Sequence, residues 1–278
     1  MALRRNPLSH HLENRWERKV FDWLFGKRRR LFEQAASQEE TYLLNRGLWQ
    51  TSFLSPKQQD SLLRWCRVFI AEKNWEGCNG LQLTDEIQWT VAASAGLLVL
   101  AYPDWYYDKT QTILVYPTPY VAEVNDRGSL LTLNSTYLGG EYVRAGETIY
   151  RGPVILNWEG MSAGASSSNG GQHLGFHEFA HQLDMINGPI ADGLPPLPAG
   201  VGEENWRTAF HREFEYAKHV VASGQQIWMD HYGLTSESEF FAVSTEAFFQ
   251  EPHEFAHYHP KAYELLLMFY QIDMQSIL

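Results

Sequence analysis

Along this chain apolar residues recur first at helical spacing, then at strand spacing, then at helical spacing again. Residues 12–25 set Leu12, Trp16, Val20, Trp23 and Leu24 near one helical face with Arg15, Arg18 and Lys19 elsewhere, and Lys27-Arg28-Arg29-Arg30 follows. A basic amphipathic segment of this kind either rests on a membrane or partner surface or docks on its own domain as a mobile terminal helix. The docked helix is the plainer reading. Ser55-Pro56 ahead of Leu62, Leu63, Trp65, Cys66, Phe69 and Ile70 supplies a cap, a proline in the first turn and helical apolar spacing, which predicts a helix. Thr84-Asp85-Glu86 opens another, which runs through Ile87, Trp89 and Val91 into the longest apolar stretch, Val91 to Tyr102. A membrane-spanning helix needs about 20 apolar residues, so this shorter stretch predicts a buried helix.

From 111 the pattern changes to short β-favouring runs between turn residues: Thr112 to Tyr116, Leu130 to Leu133, and Val154 to Trp158. These predict a small sheet. Ser162 to Gly171 is rich in Gly and Ser and reads as a flexible surface loop, and Pro189 to Gly202 is a loop with four prolines. Helical patterns return at about 203–222, 237–249 and 260–272. Helices, then strands, then helices favour an α+β arrangement over a regularly alternating one.

Composition narrows the function classes. Hydrophobic residues make up 44% of the chain and aromatics 14%, enough large side chains to fill a core and line a cleft. The formal net charge is −11; residues 1–30 hold nine Lys or Arg against three acids, a surplus of six, which leaves the remainder at −17. An acidic body lacks the clustered cations that bind a nucleic-acid backbone, so direct nucleic-acid binding is not expected. Only Cys66 and Cys78 are present, and charges interrupt the N-terminal apolar positions, so neither a disulfide framework nor a secretory leader is read and a cytoplasmic location is expected.

His177-Glu178-Phe179-Ala180-His181 carries the chemistry. Four residues on a helix return to nearly the same face one turn on, so both imidazoles can reach one ion. Zinc accepts neutral imidazole nitrogen and tolerates the open position that catalysis requires. Glu178, next to the first histidine, can take a proton from a water that the ion acidifies. The same five letters recur at His253-Glu254-Phe255-Ala256-His257. There Pro252 and Pro260 leave barely two helical turns and little apolar face, whereas Leu174, Phe176, Phe179, Ala180 and Leu183 supply apolar helical neighbours in and around the first copy, which favours 177–181 as the metal helix.

Two histidines leave the site incomplete. Asp184 and Asn187 stand where a metzincin would have Gly and His, so the third ligand comes from farther along. Glu239 and Glu246, seven apart on one predicted helix, are the candidates, and spacing does not choose between them. Asp184 and Glu246 are also candidates for orienting the imidazoles through their second nitrogens.

The segments Gly152 to Trp158, His177 to Asp184 with Asn187-Gly188, and Glu239-Phe240-Phe241-Ala242-Val243 with Glu246 resemble the Mlc titration factor A family, over most of the chain from about residue 50 onward. That family is similar in its catalytic core to anthrax lethal factor. The resemblance implies one zinc ion held by His177, His181 and Glu239, with Glu178 as general base. Tyr232, seven residues before Glu239, is implied as the phenol that stabilises the oxyanion. Val243 stands where lethal factor has a further acid. The implied fold is α+β: a zincin-like metallopeptidase core with a small mixed sheet, an HExxH helix and a helical C-terminal part, over 46–278. Residues 1–45 are expected to form a basic N-terminal helical segment that need not be rigid. Aminopeptidase-type activity on peptides and binding of the transcriptional repressor Mlc are further implications; a chiefly regulatory, non-catalytic binder is the competing reading. Val154 to Trp158 is expected at the sheet edge beside the cleft, where an extended peptide could add to it.

Overall fold

The computed structural model describes residues 26–121, 132–138, 141–148 and 150–278, with backbone pairing alone between 120 and 149. The amphipathic pattern at 12–25 and the residues Leu130 and Leu131 lie outside the described residues. Helices α1 (Gln38–Gly47), α2 (Pro56–Glu72) and α3 (Asp85–Leu98) come first, with strand β1 (Asn74–Gly77) between the last two. Both α2 and α3 begin where their caps predict: the Ser55 and Thr84 side chains accept from the backbone N–H of Gln58 and Ile87. Without such a side chain the first N–H groups of a helix lack an acceptor. Helix α3 is buried almost throughout, as its apolar run demands.

Strands β2 (Thr112–Tyr116), β3 (Tyr120–Val121), β4 (Thr132–Leu138), β5 (Glu141–Thr148) and β6 (Val154–Asn157) complete a six-stranded sheet. Its order is β1-β2-β6-β5-β3, with β4 also paired to β5. The pairs β1–β2 and β2–β6 are parallel and those made by β5 are antiparallel, so the sheet is mixed. This overturns the edge placement of Val154 to Trp158. Strand β6 lies inside the sheet, hydrogen-bonded to β2 along 154–157 and to β5 at Val154 and Ile155. The run ends early because the Asn157 side chain accepts from the Gly160 N–H at 2.7 Å and starts a helix at Trp158.

The Gly/Ser-rich stretch read as a surface loop from 162 is, as far as Ser166, the second half of that helix, α4 (Trp158–Ser166). Its small residues serve close packing: a Cβ on Gly164 would stand 2.8 Å from the Cα of His173. Low side-chain bulk here lets a helix approach the segment that opens the histidine helix, a use of glycine that resembles loop composition in sequence.

The rest is helical: α5 (Leu174–Asp184), α6 (Glu203–Ala222), α7 (Glu237–Gln250), α8 (Pro252–Tyr258), α9 (Pro260–Tyr270) and α10 (Met274–Ile277). Helix α5 packs on β5, β6, α3, α4 and α7, which places it between the sheet and the C-terminal helices. The tetrabasic run joins the same body. Residues 26–33 are helical, Arg28 pairs with Glu72 and Asp108 and lies over the Tyr106 ring, and buried Arg67 reaches Glu40 and the carbonyls of Leu31, Gln34 and Ala35. No described helix is long and apolar enough to cross a membrane.

Candidate metal centre

All eleven residues of α5 are buried, histidines and glutamate included. The helix starts on a histidine the motif did not mark. His173 is its N-cap, and its ring Nδ1 accepts from the Phe176 N–H at 3.2 Å. Burial lowers the His173 pKa to about 3, so the ring is neutral and keeps the lone pair that capping needs.

Helix α7 lies across the histidine face of α5 and brings three side chains to it. Glu239 Oε2 stands 3.0 Å from His177 Nε2 and 3.2 Å from His181 Nε2, and the two Nε2 atoms are 3.2 Å apart. The same helix supplies a partner for the other nitrogen of each imidazole. His177 Nδ1 donates to Glu246 Oε1 at 2.7 Å, and His181 Nδ1 lies 3.1 Å from the Ser238 hydroxyl. Glu246 Oε2 also accepts the backbone N–H of His173 at 2.5 Å, so one carboxylate fastens both the helix start and its first histidine.

With each Nδ1 proton committed outward, both Nε2 lone pairs and the Glu239 carboxylate converge on one point. Three acceptors this close repel one another unless a proton or a metal ion lies between them. Burial favours a neutral His177, yet Glu246 and Glu239 raise its pKa well above the usual range, the signature of a pocket that wants positive charge. Burial likewise opposes the Glu239 charge, and His181 and His177 overcome it to hold that carboxyl below the usual carboxylate range. The donor atoms match zinc: tetrahedral bonds of about 2.0–2.1 Å separate ligand atoms by about 3.3 Å, and two imidazoles with one carboxylate leave the fourth position open. Among the described residues, His177, His181 and Glu239 form the only cluster of His, Cys, Asp and Glu fit to hold a metal ion. Among the described residues there is one zinc site, on these three side chains.

Glu178 is buried beside His177 on α5. Tyr232 sits in a short 3-10 turn, His231–Leu234, whose Asp230 cap accepts the Tyr232 N–H at 2.9 Å and the Gln172 side chain at 2.8 Å. Its ring centroid is 5.9 Å from that of His177. Val243 has a visible use, since a Cβ on Gly233 would stand 3.1 Å from Val243 Cβ, and that contact seats the tyrosine turn against α7. An acid at 243 would put charge into this packing; the carboxylate that serves His177 comes from Glu246 instead.

Asp184 does not orient an imidazole. Its Oδ2 accepts the Gly193 N–H at 2.8 Å while the Gly193 carbonyl accepts from the Trp206 indole at 2.8 Å, so it ties the proline-rich loop to α5 and α6. Burial lifts its pKa to about 6. In the second copy, on α8, His253, Glu254 and His257 are exposed and only Phe255 is fully buried. Sequence reasoning missed His173 and Ser238. Ser238 has no spacing signal, since a serine one residue before a ligand is common, while His173 stands four residues before His177 in helical register.

An α+β fold carrying a buried His/His/Glu zinc site on an HExxH helix defines a zinc metallopeptidase. The chain belongs to the glucose-regulated metallo-peptidase M90 family, whose model matches residues 23–271. It is similar to an uncharacterized protein of Synechocystis sp., 32% identical over 90% of each chain. It is also similar to the Mlc titration factor A of Serratia proteamaculans, 30% identical over 79% of this chain and 82% of the relative. The Mlc titration factor A of Klebsiella pneumoniae is 31% identical over 79% and 81%.

Proposed function

We propose that this metallopeptidase is of the aminopeptidase type, with Glu178 as general base and Tyr232 as oxyanion donor, in a catalytic domain spanning 46–278. The observation that carries the reading is the placement of two proton-handling groups around the zinc ligands: Glu178 follows His177 on the same helix, and the Tyr232 ring flanks the His177 ring. His177, His181 and Glu239 would hold the zinc ion, which when bound would supply Lewis acidity to a carbonyl and to water at that point. The Glu178 carboxylate accepts the proton of that water and passes it to the leaving amine. The Tyr232 hydroxyl donates to the oxygen on which negative charge develops, and its capped turn holds it in place for this. Glu246 and Ser238 keep both imidazoles in the tautomer that presents Nε2.

The Serratia and Klebsiella relatives carry the name Mlc titration factor A. We infer from that likeness that the chain also binds the repressor of that name, which would make hydrolysis and titration separable activities of one molecule. The test compares wild type with Glu178→Gln for zinc content, hydrolysis of amino-acid anilides and capture of purified repressor. Zinc retained with hydrolysis lost supports the catalytic assignment. Unchanged hydrolysis in Glu178→Gln overturns it, and capture that is undiminished shows that binding needs no chemistry.

A further inference from the structure

A cavity of about 200 Å³ opens beyond the C-terminal end of the zinc helix, and none of the zinc ligands, Glu178 or Tyr232 lines it. One wall is the loop 104–109, with Trp105, Tyr106 and Tyr107; the other is Gln182, Met185 and Ile186 from the end of α5, and Tyr150 also lines it. The lining is aromatic and aliphatic with a few polar groups, the usual make-up of a small-molecule site, and the volume is below the roughly 300–1,000 Å³ of drug-sized pockets. It fits one aromatic ring with a short arm.

The polar groups state what the arm must carry. Lys109 is half-buried; its Nζ donates to the Ile186 carbonyl at 2.6 Å and lies 3.5 Å from the Tyr150 hydroxyl. Lys109 and Arg151 both stand over the Tyr150 ring, at 5.0 and 5.4 Å from its centroid. Neither cation has a carboxylate within salt-bridge distance among the described residues, in a chain with a net charge of −11. An ammonium has three N–H donors, and two contacts leave one to give. Gln182 is buried at 5% exposure; its Oε1 accepts from the Thr110 hydroxyl at 2.5 Å, while its Nε2 has no partner among the described residues. Two acids, Asp104 and Asp108, also line the cavity, but Asp108 is taken by Arg28 and Asp104 is exposed. Apart from exposed Asp104, the lining group without an ionic partner is thus the Lys109 ammonium, beside aromatic rings.

We propose that this cavity binds a small aromatic carboxylic acid as its anion, with the ring among Trp105, Tyr107 and Met185 and the carboxylate at Lys109. Occupancy would bridge the 104–110 loop to Met185 at the end of the zinc helix, so the ligand would act on that helix from outside the zinc site. Because the readout is binding, its failure is distinct from failure of the peptidase reading.

Calorimetric titration of the full chain with 3-(4-hydroxyphenyl)propionate tests the proposal, on zinc-loaded and chelator-stripped protein alike. One saturable site per chain is expected with or without zinc. The uncharged amide of the same acid should bind at least about tenfold more weakly to the wild type, as loss of a charge-assisted bond requires. Lys109→Met should weaken the acid by a similar factor and Arg151→Ala by about twofold to threefold. Absence of saturable binding, binding that disappears with the zinc, or equal affinity for acid and amide would each overturn it. The amide comparison uses wild-type protein, so it decides even if Lys109→Met does not fold.

Discussion

The chain writes His-Glu-Phe-Ala-His twice, and the two copies have opposite fates. On α5 the histidines and the glutamate are buried; on α8 they face solvent. The central phenylalanine behaves identically in both. Phe179 packs against Phe69 and Tyr107, and Phe255 against His259 and Tyr263, each with no exposure. The motif's apolar side therefore docks in either setting, and the polar side becomes a metal centre only where a second helix covers it. For α5 that helix is α7, which delivers Glu239, Glu246 and Ser238 together. For α8 nothing comparable is brought up among the described residues. Spacing confers the capacity to bind zinc, and burial with a third ligand realises it.

The largest expected effect breaks the symmetry at the histidines. His181→Ala should lose its zinc and all measurable hydrolysis, whereas His257→Ala should retain one zinc per chain by atomic absorption. A parallel loss in His257→Ala would mean that both copies hold metal. Next, Glu178→Gln should lower kcat by about 10²–10⁴-fold with zinc in place, and Glu254→Gln should match wild type in the same assay.

A third comparison treats the two phenylalanines as equals. Phe179→Ala and Phe255→Ala should each cost about 3–5 kcal/mol of stability by denaturant titration, since both empty a packed site. Phe255→Ala should still bind one zinc below its unfolding midpoint; if it did not, α8 would matter to the metal centre. The smallest effect belongs to the supports on α7. Glu246→Gln and Ser238→Ala should weaken zinc by about 10–100-fold in chelator competition, through loss of imidazole orientation. Glu246→Gln should be the worse, because that carboxylate also fastens the His173 N–H.

Much of this was legible in the chain because it is local. Helix starts at Ser55 and Thr84, the buried run after Val91, and the pairing of His177 with His181 all follow from neighbours within one or two turns. What was misread depended on partners far along the chain. Gly164 looked like loop and is a contact surface, because a missing Cβ means close approach only when something approaches. Val154 to Asn157 looked like an edge and is interior, because the extent of β5 is not written in β6. Asp184 looked like a support for histidine and instead holds Gly193.

By itself the sequence determined that one helix face could carry two imidazoles and a carboxylate, and that residues 239–246 held the acids to complete it. Tertiary structure decided which copy of the motif is covered, which acid ligates and which one orients. A helix periodicity of 3.6 residues sets directions around an axis, but whether a polar face meets water or three converging donors depends on the element packed against it.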